Sequence, residues 1–97
     1  MSEYYDRQGK PIGMHEWASS FGNMQKKRVA HDMVGDVSVS TVWLGLNHQY
    51  GDGPPLIFET MVFGGPLSEE CERYSTWEEA EQGHAVMVER ARKEGAK

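Results

Sequence analysis

The stretch DVSVSTVWLGLNHQYGDGPPLIFETMVFGG, residues 36–65, decides the fold because it holds two apolar strand candidates joined by a loop rich in Gly and Pro. Its second run, LIFETMVF at residues 56–63, is apolar on both faces and rich in β-branched and aromatic residues, which predicts a central strand. Gly and Pro at residues 64–66 end that strand. After a polar segment, residues 71–75 are predicted to form a short edge strand.

A β-hairpin is predicted immediately before this stretch. Gly35 and Asp36 separate two strand-like runs, and Gly at the first turn position is what a type II′ turn requires. A two-residue turn also fixes the register of the strands. On the more apolar side, this register pairs Val34 with Val37, Ala30 with Thr41, and Arg28 with Trp43. On the other side it pairs Met33, His31 and Val29 with Ser38, Ser40 and Val42.

Two helices are predicted outside the sheet. Residues 14–21 have apolar side chains at helical spacing and form a short helix. The last helix begins after Ser75 or Thr76, each of which has a Glu three residues later, and extends to about Lys93. Its predicted buried stripe has a 3.6-residue period and consists of Trp77, Ala80, His84, Met87, Val88 and Ala91.

These elements predict one α+β domain spanning residues 1–97. About four strands form an antiparallel meander, with the long C-terminal helix across one face and the short N-terminal helix nearby. Because Val42, Trp43 and Leu44 are apolar on both sides of their strand, we expect a helix on each face at that end.

The composition limits the classes of function. The chain carries 15 acidic and 10 basic residues, a net charge of −5, which argues against binding to duplex nucleic acid. No apolar run approaches the roughly 18 residues needed to span a bilayer, so no membrane association is expected. The single cysteine, Cys71, has no intrachain partner for a disulfide and suits a reducing cytoplasm. The composition leaves a homo-oligomer open.

Residues 36–65, together with RYSTWEEAEQGHAVMVERAR at residues 73–92, resemble a family of small proteins encoded by bacteriophages and prophages of actinobacteria. The resemblance spans nearly the whole chain. It implies a phage setting, with the host cell cytoplasm as the expected location, and it does not imply an activity.

The loop at residues 45–55 is the first candidate binding site. It places His48, Tyr50 and Asp52 among three glycines and two prolines, and long ordered loops often carry function. The alternative is that its Gly and Pro residues only turn the chain between two strands.

The acidic segment at residues 69–81 is the second candidate, and Glu69, Glu70 and Glu72 are its best surface for a basic partner protein. The alternative is a solvated acidic face, since helix starts normally collect Glu for electrostatic reasons.

Catalytic and metal sites have weaker support. Glu59 is the one carboxylate inside an apolar strand, where burial would favour a general base, but the favoured interpretation is a side chain that points to solvent or pairs with Arg28 or Arg73 on a neighbouring strand. None of His15, His31, His48 and His84 pairs with another at i, i+4, and Cys71 has no CxxC partner, so we expect neither a metal nor another cofactor.

The sequence therefore predicts a small accessory protein that acts without catalysis, by contact with a host or phage protein such as a host factor or a component of a defence system. Two alternatives remain open. One is a small enzyme using the 45–55 loop with Glu59, and the other is a minor structural or assembly protein of the virion.

Overall fold

The computed structural model describes residues 4–21, 27–47 and 53–94, and the elements below lie in those ranges. Two short strands, β1 (Tyr4–Tyr5) and β2 (Pro11–Ile12), precede helix α1 (Met14–Phe21). Four longer strands follow, β3 (Arg28–Val34), β4 (Val37–Trp43), β5 (Phe58–Phe63) and β6 (Cys71–Tyr74), and then helix α2 (Trp77–Glu94). The predicted α+β architecture is confirmed.

Strands β3 to β6 form an antiparallel meander in the order β3-β4-β5-β6, so β4 and β5 are the central strands. The two-residue turn between β3 and β4 is present, with Gly35 at φ 61°. Asp36 has no positive φ, which identifies the turn as type II′ because a type I′ turn needs positive φ at both positions.

The predicted register is correct from the turn as far as Ala30, which pairs with Thr41. Beyond it the prediction is wrong, since Arg28 pairs with Val42 and not with Trp43. The cause is a register shift between Arg28 and Ala30, where an extra residue in β3 moves the remaining pairs by one position.

Helix α2 packs across one face of the four-stranded sheet and contacts all four strands. Its start is capped by Thr76, whose hydroxyl accepts a hydrogen bond from the Glu79 N–H at 3.1 Å. The Glu79 carboxylate in turn accepts from the N–H groups of Ser75 and Thr76. This reciprocal arrangement is the predicted capping box, which satisfies N–H groups that the first turn leaves without intrahelical partners.

The sheet face under α2 holds two apolar clusters, and both are completed by residues of the predicted helix stripe. One cluster, at the turn end of the sheet, consists of Val34, Val37, Val39, Val62, Met87, Val88 and Ala91. The other consists of Tyr5, Trp43, Ile57, Phe58 and Ala80, with Trp77 half-buried against it. Thr41, Thr60 and His84 are also buried, and they lie between the two clusters in the strand and helix sequences.

The N-terminal segment covers the end of β4 at Gly45. Gly45 has φ 71°, and a Cβ there would overlap the rings of Trp43 and Trp17, so only glycine fits. The Trp17 indole N–H donates to the Leu44 carbonyl at 2.9 Å and its ring lies 4.8 Å from that of Tyr4. Strand β1 and helix α1 therefore close this end of the core.

The expectation of a helix on each face of the sheet is wrong for the described part of the chain. Trp43 is buried under α2, and Leu44 receives the hydrogen bond from Trp17 of α1. Val42 lies on the opposite face of the sheet, and no described helix packs on that face.

Neither helix of the described residues has the length and apolar character that a membrane span requires.

Candidate functional site

Three of the predicted site residues, His48, Tyr50 and Asp52, lie outside the described residues. The prediction of a binding site in the 45–55 loop therefore stays a prediction. Near that loop, the Asn47 side-chain oxygen accepts a hydrogen bond from the Leu56 N–H at 3.2 Å, which ties together the two described ends of the connection between β4 and β5.

Glu59, the candidate general base, forms a salt bridge with Arg73 across neighbouring strands. The Arg73 Nε lies 3.1 Å from the Glu59 carboxylate, and the Glu59 side chain is 15 % exposed. A carboxylate paired with a guanidinium makes a charge-assisted hydrogen bond, so this geometry is the salt bridge with Arg73 predicted from the sequence as the alternative to a general base. Among the described residues, no three His, Cys, Asp or Glu side chains come together as a metal site requires.

Glu69 and Glu70 lie in the β5–β6 connection, Glu72 lies in β6, and all three are exposed. Glu69 has φ 72° in a segment fixed by backbone hydrogen bonds, since its N–H donates to the Val62 carbonyl at 2.8 Å. Glu70 lies 3.3 Å from the Arg90 guanidinium in a half-exposed salt bridge. These three exposed carboxylates thus fall within four consecutive residues, where the β5–β6 connection enters β6.

A polar chain crosses the sheet under α2, buried at His84, Thr41 and Thr60 and exposed at Asp32, whose side chain is 56 % exposed. The sequence did not predict it as a unit. His84 is 5 % exposed, and its two ring nitrogens contact Thr41 and Asp32. The Nδ1 atom lies 2.6 Å from the Thr41 hydroxyl, and the Nε2 atom lies 2.7 Å from the Asp32 carboxylate. The Thr41 hydroxyl also lies 2.5 Å from the Thr60 hydroxyl, and Thr60 bonds to the Tyr74 phenol.

The acceptor chemistry of Asp32 sets the direction of this chain. A carboxylate only accepts, so the His84 Nε2–H donates to Asp32. In a neutral imidazole the Nδ1 atom then accepts from the Thr41 hydroxyl, which in turn accepts from Thr60. Each of the strands β3, β4, β5 and β6 supplies one member, and His84 of α2 joins them to the helix.

An Asp-His-Thr arrangement also occurs where a base activates a hydroxyl nucleophile. Here Thr41 and Thr60 both have 0 % exposure, so a substrate has no access to either hydroxyl in this structure. The chain instead satisfies polar groups inside the core, and no buried side-chain N or O atom of the described residues lacks a partner. Its position predicts a role in holding α2 at a fixed place on the sheet.

Tyr74 ends the polar chain at the edge of the sheet, where its ring lies against Gly83 of α2. Burial raises the pKa of the Tyr74 phenol, while its hydrogen bond with Thr60 lowers it and the charges of Glu72 and Cys71 raise it further. A Cβ on Gly83 would overlap the Tyr74 ring and hydroxyl. Gly83 therefore allows the close approach of ring and helix.

Gly83→Ala tests this contact, because the contact determines whether the substitution raises or lowers the free energy of unfolding. Helix propensity alone favours Ala over Gly by about 1 kcal/mol inside a helix. We expect the overlap with Tyr74 to reverse that gain, lowering the free energy of unfolding by about 1–3 kcal/mol in denaturant titrations. In a Tyr74→Ser background the same substitution should be stabilising. A stabilising Gly83→Ala in the presence of Tyr74 would contradict the packing described here.

A surface cavity of about 520 Å³ lies between the β1–β2 turn and the start of α2. It is lined by Arg7, Gln8, Thr76, Trp77 and Glu78. The Arg7 guanidinium stands 5.9 Å from the centre of the Trp77 ring, a cation-π distance. Glu69, Glu70 and Glu72 are not among the described residues that line it.

Comparison with known proteins does not extend this description, since no family model, curated protein or solved structure matches the chain.

Proposed function

We propose that this protein is a non-enzymatic accessory protein of a bacteriophage or prophage that acts by contact with a basic surface of a host or phage protein. The observation that carries the proposal is an ordered, exposed acidic segment at the end of the β5–β6 connection and the start of β6. It is defined by Glu69, Glu70 and Glu72, and we call it the acidic loop. The resemblance of the chain to small phage proteins supports the setting.

The order of this acidic loop favours binding. The Ser68 hydroxyl accepts a hydrogen bond from the Gly64 N–H, and the Glu70 N–H donates to the Leu67 carbonyl at 2.9 Å. The Val62 N–H donates to the Glu70 carbonyl, which continues the pairing of β5 beyond β6. A loop already fixed by its own backbone loses little conformational entropy on binding.

The charge of the loop indicates the chemistry of the partner. Glu69 and Glu72 form no salt bridge with any described residue, and the pair between Glu70 and Arg90 is half-exposed. These carboxylates are therefore available to Lys or Arg side chains of another protein, within a chain whose net charge is −5. Charges at the rim of an interface act mainly on the association rate and on its salt dependence.

The test begins with affinity capture of the partner from a host lysate and continues with the kinetics of the purified pair. Reversing Glu69, Glu70 and Glu72 to Lys should slow association by about tenfold at low salt and flatten its salt dependence. We expect the melting temperature to change little, because all three side chains are exposed.

A matched control separates the position of the charges from net charge. Reversing Glu16, Glu89 and Glu94, which are exposed on α1 and α2 and lie outside residues 69–81, changes the net charge by the same amount. Only the loop variant should show the full loss of association rate. Equal losses in both variants, or none in the loop variant, would refute the acidic loop as the contact surface.

A further inference from the structure

The sheet has a second face that no described helix covers. Along each strand, the side chains on this second face alternate with those that lie under α2. His31 and Ser38 both lie on the second face, where they form a hydrogen bond of 2.9 Å. We call this the open face, and by the register it consists of Arg28, His31, Met33, Ser38, Ser40, Val42, Glu59, Met61, Phe63, Cys71 and Arg73.

The open face has an apolar region with charges at one end. Met33 and Phe63, which flank Ser38 on neighbouring strands, are 59 % and 52 % exposed. Met61 and Val42 extend this apolar region along the central strands and are partly exposed. An apolar centre with a polar rim is the usual composition of a protein interface.

The charge of the open face differs from that of the rest of the molecule. Arg28, Arg73 and Glu59 give it a net +1, whereas the whole chain carries −5, so the remaining residues carry −6. Two copies that meet through the open face bring together patches of only +1 each, a weaker repulsion than between surfaces that carry the negative charge of the chain. A basic partner has no electrostatic attraction to the open face, which distinguishes it from the acidic loop.

The size of the open face suits a small symmetric interface. Three rows of side chains at about 7 Å and four strands at about 5 Å give a flat area of roughly 400 Å² per copy. Protruding side chains make the accessible area larger than this projection, which brings two such faces near the roughly 1,200 Å² at the lower end of specific interfaces.

We propose that a second copy of this chain packs on the open face, sheet against sheet, to form a symmetric dimer. A two-fold axis between the sheets places the same patch on both partners, so one apolar region buries both copies of Met33 and Phe63. Each copy keeps α2 on its outer side, in the four-layer order helix, sheet, sheet, helix. The dimer does not depend on the proposed contact through the acidic loop.

Sedimentation velocity over protein concentrations from about 1 µM to about 1 mM tests the proposal, a range that covers weak and moderate dimers. The protein should sediment as a dimer in the upper part of this range. Met33→Glu and Phe63→Glu should each raise the dimer dissociation constant by more than about tenfold, because each buries a charge in the interface. Intermolecular NOEs from the Met33 and Met61 methyl groups should appear in a mixture of labelled and unlabelled protein.

The control is Val86→Glu on α2, since Val86 is 60 % exposed and lies outside the open face. It should leave the dimer unchanged, and circular dichroism should show that all three variants are folded. A monomer throughout the concentration range would overturn the proposal. So would a dimer that tolerates Met33→Glu and Phe63→Glu, or one that Val86→Glu disrupts equally.

Discussion

Trp43→Ala is expected to lower the free energy of unfolding by about 3–5 kcal/mol, the range for large aromatic side chains removed from a core. Trp43 is 1 % exposed and lies in the cluster that joins β4, β5, α2 and the N-terminal segment. Its indole N–H donates to the Tyr5 carbonyl at 3.1 Å, so the substitution also leaves a buried carbonyl without that donor. Small domains have only about 5–15 kcal/mol of stability in total.

Urea unfolding followed by far-UV circular dichroism measures this loss. Trp43→Phe keeps an aromatic ring and removes the indole N–H, so it should cost less than Trp43→Ala. Val86→Ala serves as the control, because a side chain that is 60 % exposed removes little buried area and should change stability by less than about 0.5 kcal/mol. If Trp43→Ala lowers the free energy of unfolding by less than about 1 kcal/mol, this apolar cluster does not stabilise that end of the sheet.

The strands and the hairpin were predictable from the sequence because their signals are local. The turn at Gly35 and Asp36 sets the register for the residues next to it, and the alternation along β4 identifies the buried side correctly. The bulge near Val29 had no such signal, since an extra residue in a strand leaves the surrounding alternation readable in either register. The pairing of Arg28 was wrong for that reason.

The covering of the sheet was harder to predict, because apolar residues near a strand end have more than one way to be buried. The run of Val42, Trp43 and Leu44 suggested a helix on each face, but α2 buries Trp43, and Leu44 lies at the strand end that α1 and the β1 segment close. Val42 is left on the open face. Sequence periodicity predicts on which face of the sheet a side chain lies, but it does not predict which element packs against that face.

The polar chain shows the same limit for a candidate site. The helical period placed His84 on the buried stripe, and the strand alternation placed Thr41 on the more apolar side of the sheet. Asp32 gave no signal, because its contact with His84 joins residues 52 positions apart and depends on the position of α2 across the strands. The exposure of Glu69, Glu70 and Glu72, in contrast, could be predicted from the sequence, since exposed charge needs no tertiary partner, and their role in binding stays a prediction.

His84→Ala is expected to lower the free energy of unfolding by about 2–4 kcal/mol, because it removes the only member of the polar chain that belongs to the helix. The Thr41 hydroxyl then loses its acceptor inside a core where water is excluded, and Asp32 loses the donor that holds it against α2. An unsatisfied buried polar group costs more than the hydrogen bond contributed on average.

The two threonines test whether the chain acts as a unit. Thr41→Val should cost about 1–3 kcal/mol, since it leaves the Nδ1 atom of His84 without a donor. Thr60→Val in the Thr41→Val background should cost less than it does in the parent, because its hydroxyl has already lost one partner. A coupling energy of about 1 kcal/mol or more in the double-mutant cycle is the expected result.

His31 supplies the matched control for His84, because it also bonds to a hydroxyl but does so on the exposed side of the same sheet. His31→Ala should change stability by less than about 0.5 kcal/mol, since water replaces the lost contact with Ser38. The difference between the stability losses of His84→Ala and His31→Ala then measures how burial changes the contribution of a contact between a histidine and a hydroxyl group. Equal losses at His31 and His84 would show that the polar chain fills the space between the two apolar clusters without fixing α2 on the sheet.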